Sequence, residues 1–246
     1  MRERKNTARD VPSPRTAAVR ASLSVAFAVS AYGVSFGALS VAAGLDIWQT
    51  CVLSLLMFSG GSQFALIGVI ASGGTSAGAA AITSAALLGV RNTLYGIRMA
   101  PVIGGSPLRR ALAAHITIDE STAVATAQPT RDAQRTGFWW TGIAIYIGWN
   151  LTTLVGAFVG DLLGDVRQYG LDAAAGAAFL GLLWPRLRAL QPVVVAIGAA
   201  IVATVLSPAL PVGLPVLAAA LVAVVVGFTN WFGTGRRSRP TGEDAS

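Results

Sequence analysis

Residues 51–71 read CVLSLLMFSGGSQFALIGVIA, twenty-one positions without a charge. At roughly 1.5 Å per residue such a run is long enough to cross a hydrocarbon core of about 30 Å as a helix. Its middle argues against an ordinary helix. Ser59-Gly60-Gly61-Ser62-Gln63 puts two glycines, two hydroxyls and an amide at the centre of the run. Adjacent glycines weaken a helix by roughly 1 kcal/mol each relative to alanine. A break at bilayer depth persists only where protein or a wet cavity satisfies the freed backbone groups. Two readings follow: close packing of helices through small residues, or a broken helix lining a substrate path.

Composition decides the class. The 246 residues are 54% hydrophobic and 12% charged, about half the charge of a soluble domain. The expected fold is all-α, a polytopic transmembrane helical bundle of about eight spans whose second span is broken at Gly60-Gly61. A net charge of +7 would suggest nucleic acid in a soluble chain. Here the arginines sit in tails and short loops, where they set orientation, so no nucleic-acid partner is expected. One cysteine, Cys51, excludes an intramolecular disulfide, and with His115 as the one histidine no ordinary structural zinc site can be built. No metal or other cofactor is expected.

Outward from the break, residues 1–20 form a basic tail read as disordered and cytoplasmic, 21–232 a transmembrane domain, and 233–246 a second disordered cytoplasmic tail. The run after Arg20 carries Gly33 and Gly37, a GxxxG packing face. The next, near 77–101, contains Arg91, Asn92 and Arg98. An arginine inside a span must face protein or water. Arg91 and Arg98 are two helical turns apart and share a face.

Residues 107–128, PLRRALAAHITIDESTAVATAQ, hold His115, Asp119 and Glu120. Read as one helix, the segment brings His115 and Asp119 together at i and i+4. If it crosses, there are eight spans with both termini cytoplasmic, and that side collects most of the eighteen basic residues. If it stays outside, seven spans result and the outer side collects nine of the eighteen basic residues, among them the three C-terminal tail arginines. The positive-inside rule favours eight. Asp119, Glu120 and His115 then lie in or near the membrane, where ionisable groups mark a pathway or a proton relay. The alternative is a buried bridge from Asp119 or Glu120 to Arg91 or Arg98. Further spans are read at 137–160, 171–185, 190–207 and 212–232.

Four stretches in fixed order resemble the AzlC family of bacterial branched-chain amino acid exporters: YGVSFG at 32–37, FSGGSQF at 58–64, GVRNTLYG at 89–96 and ITIDESTAVATAQ at 116–128. Gly89 stands where the family often places an acidic residue, and the tryptophan-and-serine-rich signature near 147–150 is reduced to Trp149. The resemblance implies a multi-pass protein of the bacterial inner (plasma) membrane. It also implies a small, separately encoded membrane subunit of the AzlD type and coupling to the proton motive force.

A zwitterionic amino acid offers a carboxylate, an ammonium and an apolar side chain. Helix N-termini favour anions. The expected substrate site is therefore Ser59, Gly60, Gly61, Ser62, Gln63, Phe64, Arg91 and Asn92, with Phe58 and Phe64 against the apolar side chain. Asp119, Glu120 and His115 are the expected proton-coupling groups. An enzyme is not expected: Gly61-Ser62-Gln63 does not supply the Gly-x-Ser-Gly turn of a rhomboid-type protease, and Asp161 and Asp165 sit at a loop. The competing reading is a passive channel or a structural subunit of a two-component permease.

Overall fold

The computed structural model describes residues 13–164, 180–181, 183–184, 187–211 and 214–229. They are helical, with no strand among them, and the chain is an all-α membrane protein. It divides into two compact units, Met1–Ala178 and Phe179–Ser246.

The first unit is built on α1 (Pro14–Ala42) and α7 (Arg131–Leu163), the two described helices long and apolar enough to cross a membrane. They run parallel. Arg15 pairs with Asp132 at one end, Ser22 donates to the carbonyl of Gly137, Gly156 lies against Val34, and Gly160 meets Ala38 at the other end. The seam is backbone on backbone. A Cβ on Gly37 would lie 2.1 Å from the Thr153 carbonyl oxygen, and one on Gly156 2.0 Å from that of Val34. Gly33-x-x-x-Gly37 is thus the packing face its spacing predicts. Small buried hydroxyls join the seam: Thr141 donates to Ser22 at 2.8 Å.

Helix α1 begins at Pro14, inside the stretch 1–20 expected to be a disordered tail. Ser13 accepts from the Thr16 amide and proline occupies the first turn. This is a helix start of ordinary chemistry, because the proline lacks only a donor that the first turn would leave unpaired. The remainder of that tail and the tail expected at 233–246 lie outside the described residues.

Between α1 and α7 one arrangement occurs twice. Helix α2 (Ile47–Leu56) stops, three residues run irregularly, and α3 (Gly60–Gly73) resumes. A 3-10 turn at Gly74–Ala77 leads to the long α4 (Gly78–Ile103), on which α3 packs. Then α5 (Pro107–His115) stops, three residues run irregularly, and α6 (Asp119–Thr126) resumes before α7, on which α6 packs. The unit is a broken helix followed by a long one. Both broken helices start from a capped N-terminus: Asp46 and Gln49 form a capping box, and Ser106 accepts from the Arg109 amide.

Two expectations change here. The first break lies at Met57–Ser59, not at the glycine pair, and Gly60 and Gly61 open α3 instead. The second concerns 107–128, which is not one helix. Ile116-Thr117-Ile118 are consecutive β-branched residues, stiff at χ1 and poor helix formers. Ser121 stabilises the interruption by accepting from the Ile118 amide at 3.0 Å and contacting the Ile116 carbonyl at 2.9 Å. His115 therefore ends one helix and Asp119 begins the next, so they do not share a helix face.

The second unit contains α8 (Leu190–Leu206) and α9 (Leu214–Thr229), packed on each other with Gly198 against Val222. They occupy the positions of the apolar runs read at 190–207 and 212–232. The run read at 171–185 lies almost wholly outside the described residues.

Candidate functional site

The two breaks meet. Where α2 stops, the carbonyl of Leu55 is not taken up by its own helix. His115, the last residue of α5, donates to it through Nε2 at 3.0 Å, and the Tyr146 hydroxyl of α7 donates at 3.3 Å. A carbonyl can only accept, so the His115 nitrogen facing it carries the proton. Phe58, inside the first break, packs edge-on to Tyr146 with ring centroids 5.0 Å apart. His115 and Tyr146 stand 5.4 Å apart.

A second link crosses the same region. Arg91, midway along α4, pairs with Asp119 at the start of α6, Nη1 to Oδ2 3.1 Å. Its other terminal nitrogen lies against α3, since a Cβ on Gly61 would be 2.8 Å from Nη2. On Gly60 it would be 3.1 Å from the Trp149 ring. The glycines are needed for clearance: bare backbone at the first turn of α3 admits an indole on one side and a guanidinium on the other. No side chain caps that turn. A helix N-terminus and a guanidinium are both positive and favour a nearby anion, and Asp119 supplies that negative charge to Arg91.

Beside this pair lies a cavity of about 370 Å³, within the range of small-molecule sites. Ser59, Ser62, Asn92, His115 and Thr117 supply its polar groups. Ser59 and Ser62 join their hydroxyls at 3.2 Å. Asn92 Oδ1 and Arg91 Nε are buried without a hydrogen-bond partner among the described residues. The rest of the lining is apolar, from Leu56, Met57 and Phe58 on one side and α4 on the other.

The sequence-derived residues divide. Ser59, Ser62, Asn92 and His115 line the cavity; Gly60, Gly61, Arg91 and Asp119 do not line it but are close in sequence to residues that do, with Arg91 paired to Asp119 and lying against Gly61. Glu120 is half-buried in the first turn of α6, beside Asp119. Gln63 and Phe64 are elsewhere. Gln63 is fully buried and reaches back to the Ser54 carbonyl of α2 at 3.5 Å. Phe64 belongs to an aromatic core, edge-on to Phe36 at 5.8 Å and to Trp149 at 6.3 Å. Phe58 alone of the two expected phenylalanines reaches the cavity. Arg98 is exposed. Tyr146, Thr117 and the Leu55 carbonyl were not foreseen. A tyrosine in the middle of the apolar run 137–160 is the one signal that could have found the first of them.

Comparison with known proteins bears on the same region. The family model described as AzlC protein matches residues 24–163. Inner membrane protein YgaZ of Escherichia coli (strain K12) is 32% identical over 158 residues, 62% of this chain. The chain thus spans 61% of the length of that relative. No solved structure matches. The match at 24–163 covers more than half of the chain and takes in both broken helices and the ion pair between them: this protein belongs to the AzlC family.

Proposed function

We propose that the protein is a transporter of the bacterial inner membrane that exports amino acids with branched-chain or similar apolar side chains. One observation carries the reading: two helix breaks converge on one cavity, and next to the residues that line it a guanidinium is paired with a carboxylate and lies against an uncapped helix N-terminus. Broken helices are tolerated at membrane depth where they are buried in protein or line a wet cavity, and half-helix N-termini at such cavities face anionic substrate groups. The carboxylate of a zwitterion would bind at the first turn of α3 beside Arg91. Its ammonium would face Asp119.

The parallel course of α1 and α7 supports full crossings. If both span in the same direction, an odd number of crossings separates them. Three segments lie between, α2–α3, α4 and α5–α6, and three crossings satisfy the parity. The segment 107–126 then crosses as a broken helix, which accords with eight spans and both termini cytoplasmic. Asp119 or Glu120 would carry the coupling proton, since ionisable carboxyl groups at membrane depth mark proton relays. The exporter would work with a small AzlD-type membrane subunit.

The test is efflux of preloaded leucine, isoleucine or valine from cells expressing the protein with and without such a subunit. A proton-coupled exporter builds a gradient that an uncoupler collapses. Downhill flux indifferent to the uncoupler would mean a passive channel, and no flux in either case would remove transport by this site.

A further inference from the structure

We infer that the side-chain subsite of the cavity is the face of α4 carrying Ala85, Ala86 and Gly89, and that residue size at 86 and 89 sets the longest substrate side chain accepted. The inference rests on the transport reading and names the wall that would give it selectivity.

With Phe64 committed to the aromatic core, it cannot receive a substrate side chain. The apolar surface facing Met57 and Phe58 across the cavity comes instead from Ile82, Ala85, Ala86 and Gly89. These positions are spaced i, i+3, i+4 and i+7, one stripe of a helix. Asn92, one turn on, continues the stripe to the polar end beside Arg91. A zwitterion held at Arg91 and Asp119 would therefore lay its side chain along the stripe. Three of the four residues are alanine or glycine, and their size leaves the cavity open. The space is usable: a Cβ on Gly89 would meet nothing closer than Ser62 Oγ at 3.6 Å, an ordinary contact. A methyl there takes volume from the cavity without displacing a neighbour. Ala86 is exposed in the cavity wall, so its enlargement leaves the core untouched.

The experiment compares efflux of valine with that of leucine and methionine in wild type, Gly89→Ala, Gly89→Val and Ala86→Val, at equal membrane abundance and with the small subunit co-expressed. One methylene in an apolar pocket changes selectivity by about 10–200-fold. The expected result is a leucine-to-valine efflux ratio lowered about tenfold or more, graded with the size of residue 89, with valine efflux falling less than leucine efflux. Alanine in place of glycine favours helix, so Gly89→Ala keeps the fold. A thermal shift of the purified variants with each amino acid gives a second readout, in which leucine should lose its stabilising effect before valine. Equal loss for all substrates, or an unchanged ratio, overturns the inference while leaving transport standing. A wild type that neither exports nor is stabilised by any of the three removes the transport reading and this inference together.

Discussion

Arg91 and Asp119 stand 3.1 Å apart although they come from different copies of the broken-helix arrangement, one from the long helix of the first and one from the resumption of the second. The pair ties the two copies at the point where each has lost regular backbone. It is partly buried, with the side chains 31% and 23% exposed, so its energy lies between that of a surface pair and a buried one.

Asp119→Asn should remove the counter-charge and leave the guanidinium beside the positive end of α3. Exposed pairs contribute up to about 1 kcal/mol, and breaking buried ones costs about 3–5 kcal/mol. A loss of about 1–2 kcal/mol is expected by denaturant unfolding in detergent. Efflux should fall at least tenfold at equal abundance. Arg91→Lys should keep the charge but lose the second nitrogen near Gly61, giving a smaller stability loss and the same direction in efflux.

Glycines in this chain should separate by surroundings. Gly37→Ala drives a methyl into the Thr153 carbonyl, and Gly156→Ala into that of Val34. Backbone cannot yield as a side chain can, so both should cost about 3 kcal/mol or more, or abolish membrane accumulation. Gly61→Ala meets the flexible end of Arg91 and should leave abundance near normal while lowering efflux. Gly96→Ala meets nothing within 4 Å and should be neutral or stabilising by about 1 kcal/mol.

Ser121→Ala should unsettle the second break. The Ile118 amide and the Ile116 carbonyl would both lose their side-chain partner. An unsatisfied buried group costs about 1–3 kcal/mol. Hydrogen exchange should then show faster opening around 116–121, with α1 and α7 unchanged. Equal protection in the variant would mean that the β-branched run alone holds the break.

Topology can be tested through the parallel course of α1 and α7. In a Cys51→Ser background, Thr16→Cys and Pro129→Cys should react with an impermeant thiol reagent from one side of the membrane, and Ala42→Cys and Leu162→Cys from the other. Labelling of positions 16 and 129 from opposite sides would contradict the parity argument, and with it the crossing of 107–126.

Class and membrane habit could be read directly from residue order, because they depend on composition and run length. Low charge, long apolar runs and arginines at their edges have one common physical solution, a helical bundle in lipid. The GxxxG at Gly33 and Gly37 was equally legible, since a helix places those two on one face whatever it packs against. Contact partners were not. Gly60 and Gly61 looked like the break because glycine is a poor helix former. Their use became visible only when Trp149 and Arg91, distant in the chain, were found against them. His115 and Asp119 looked like neighbours because helical periodicity was assumed through Ile116–Ile118, and a hydroxyl at Ser121 favours the interruption instead. Gln63 and Phe64 share the motif of Ser59 and Ser62, yet the turn of α3 sends them into the core. Local propensity is written residue by residue, whereas a site is a set of directions in space. Those directions arise when α3 packs on α4 and α6 on α7, bringing two broken backbones to one place.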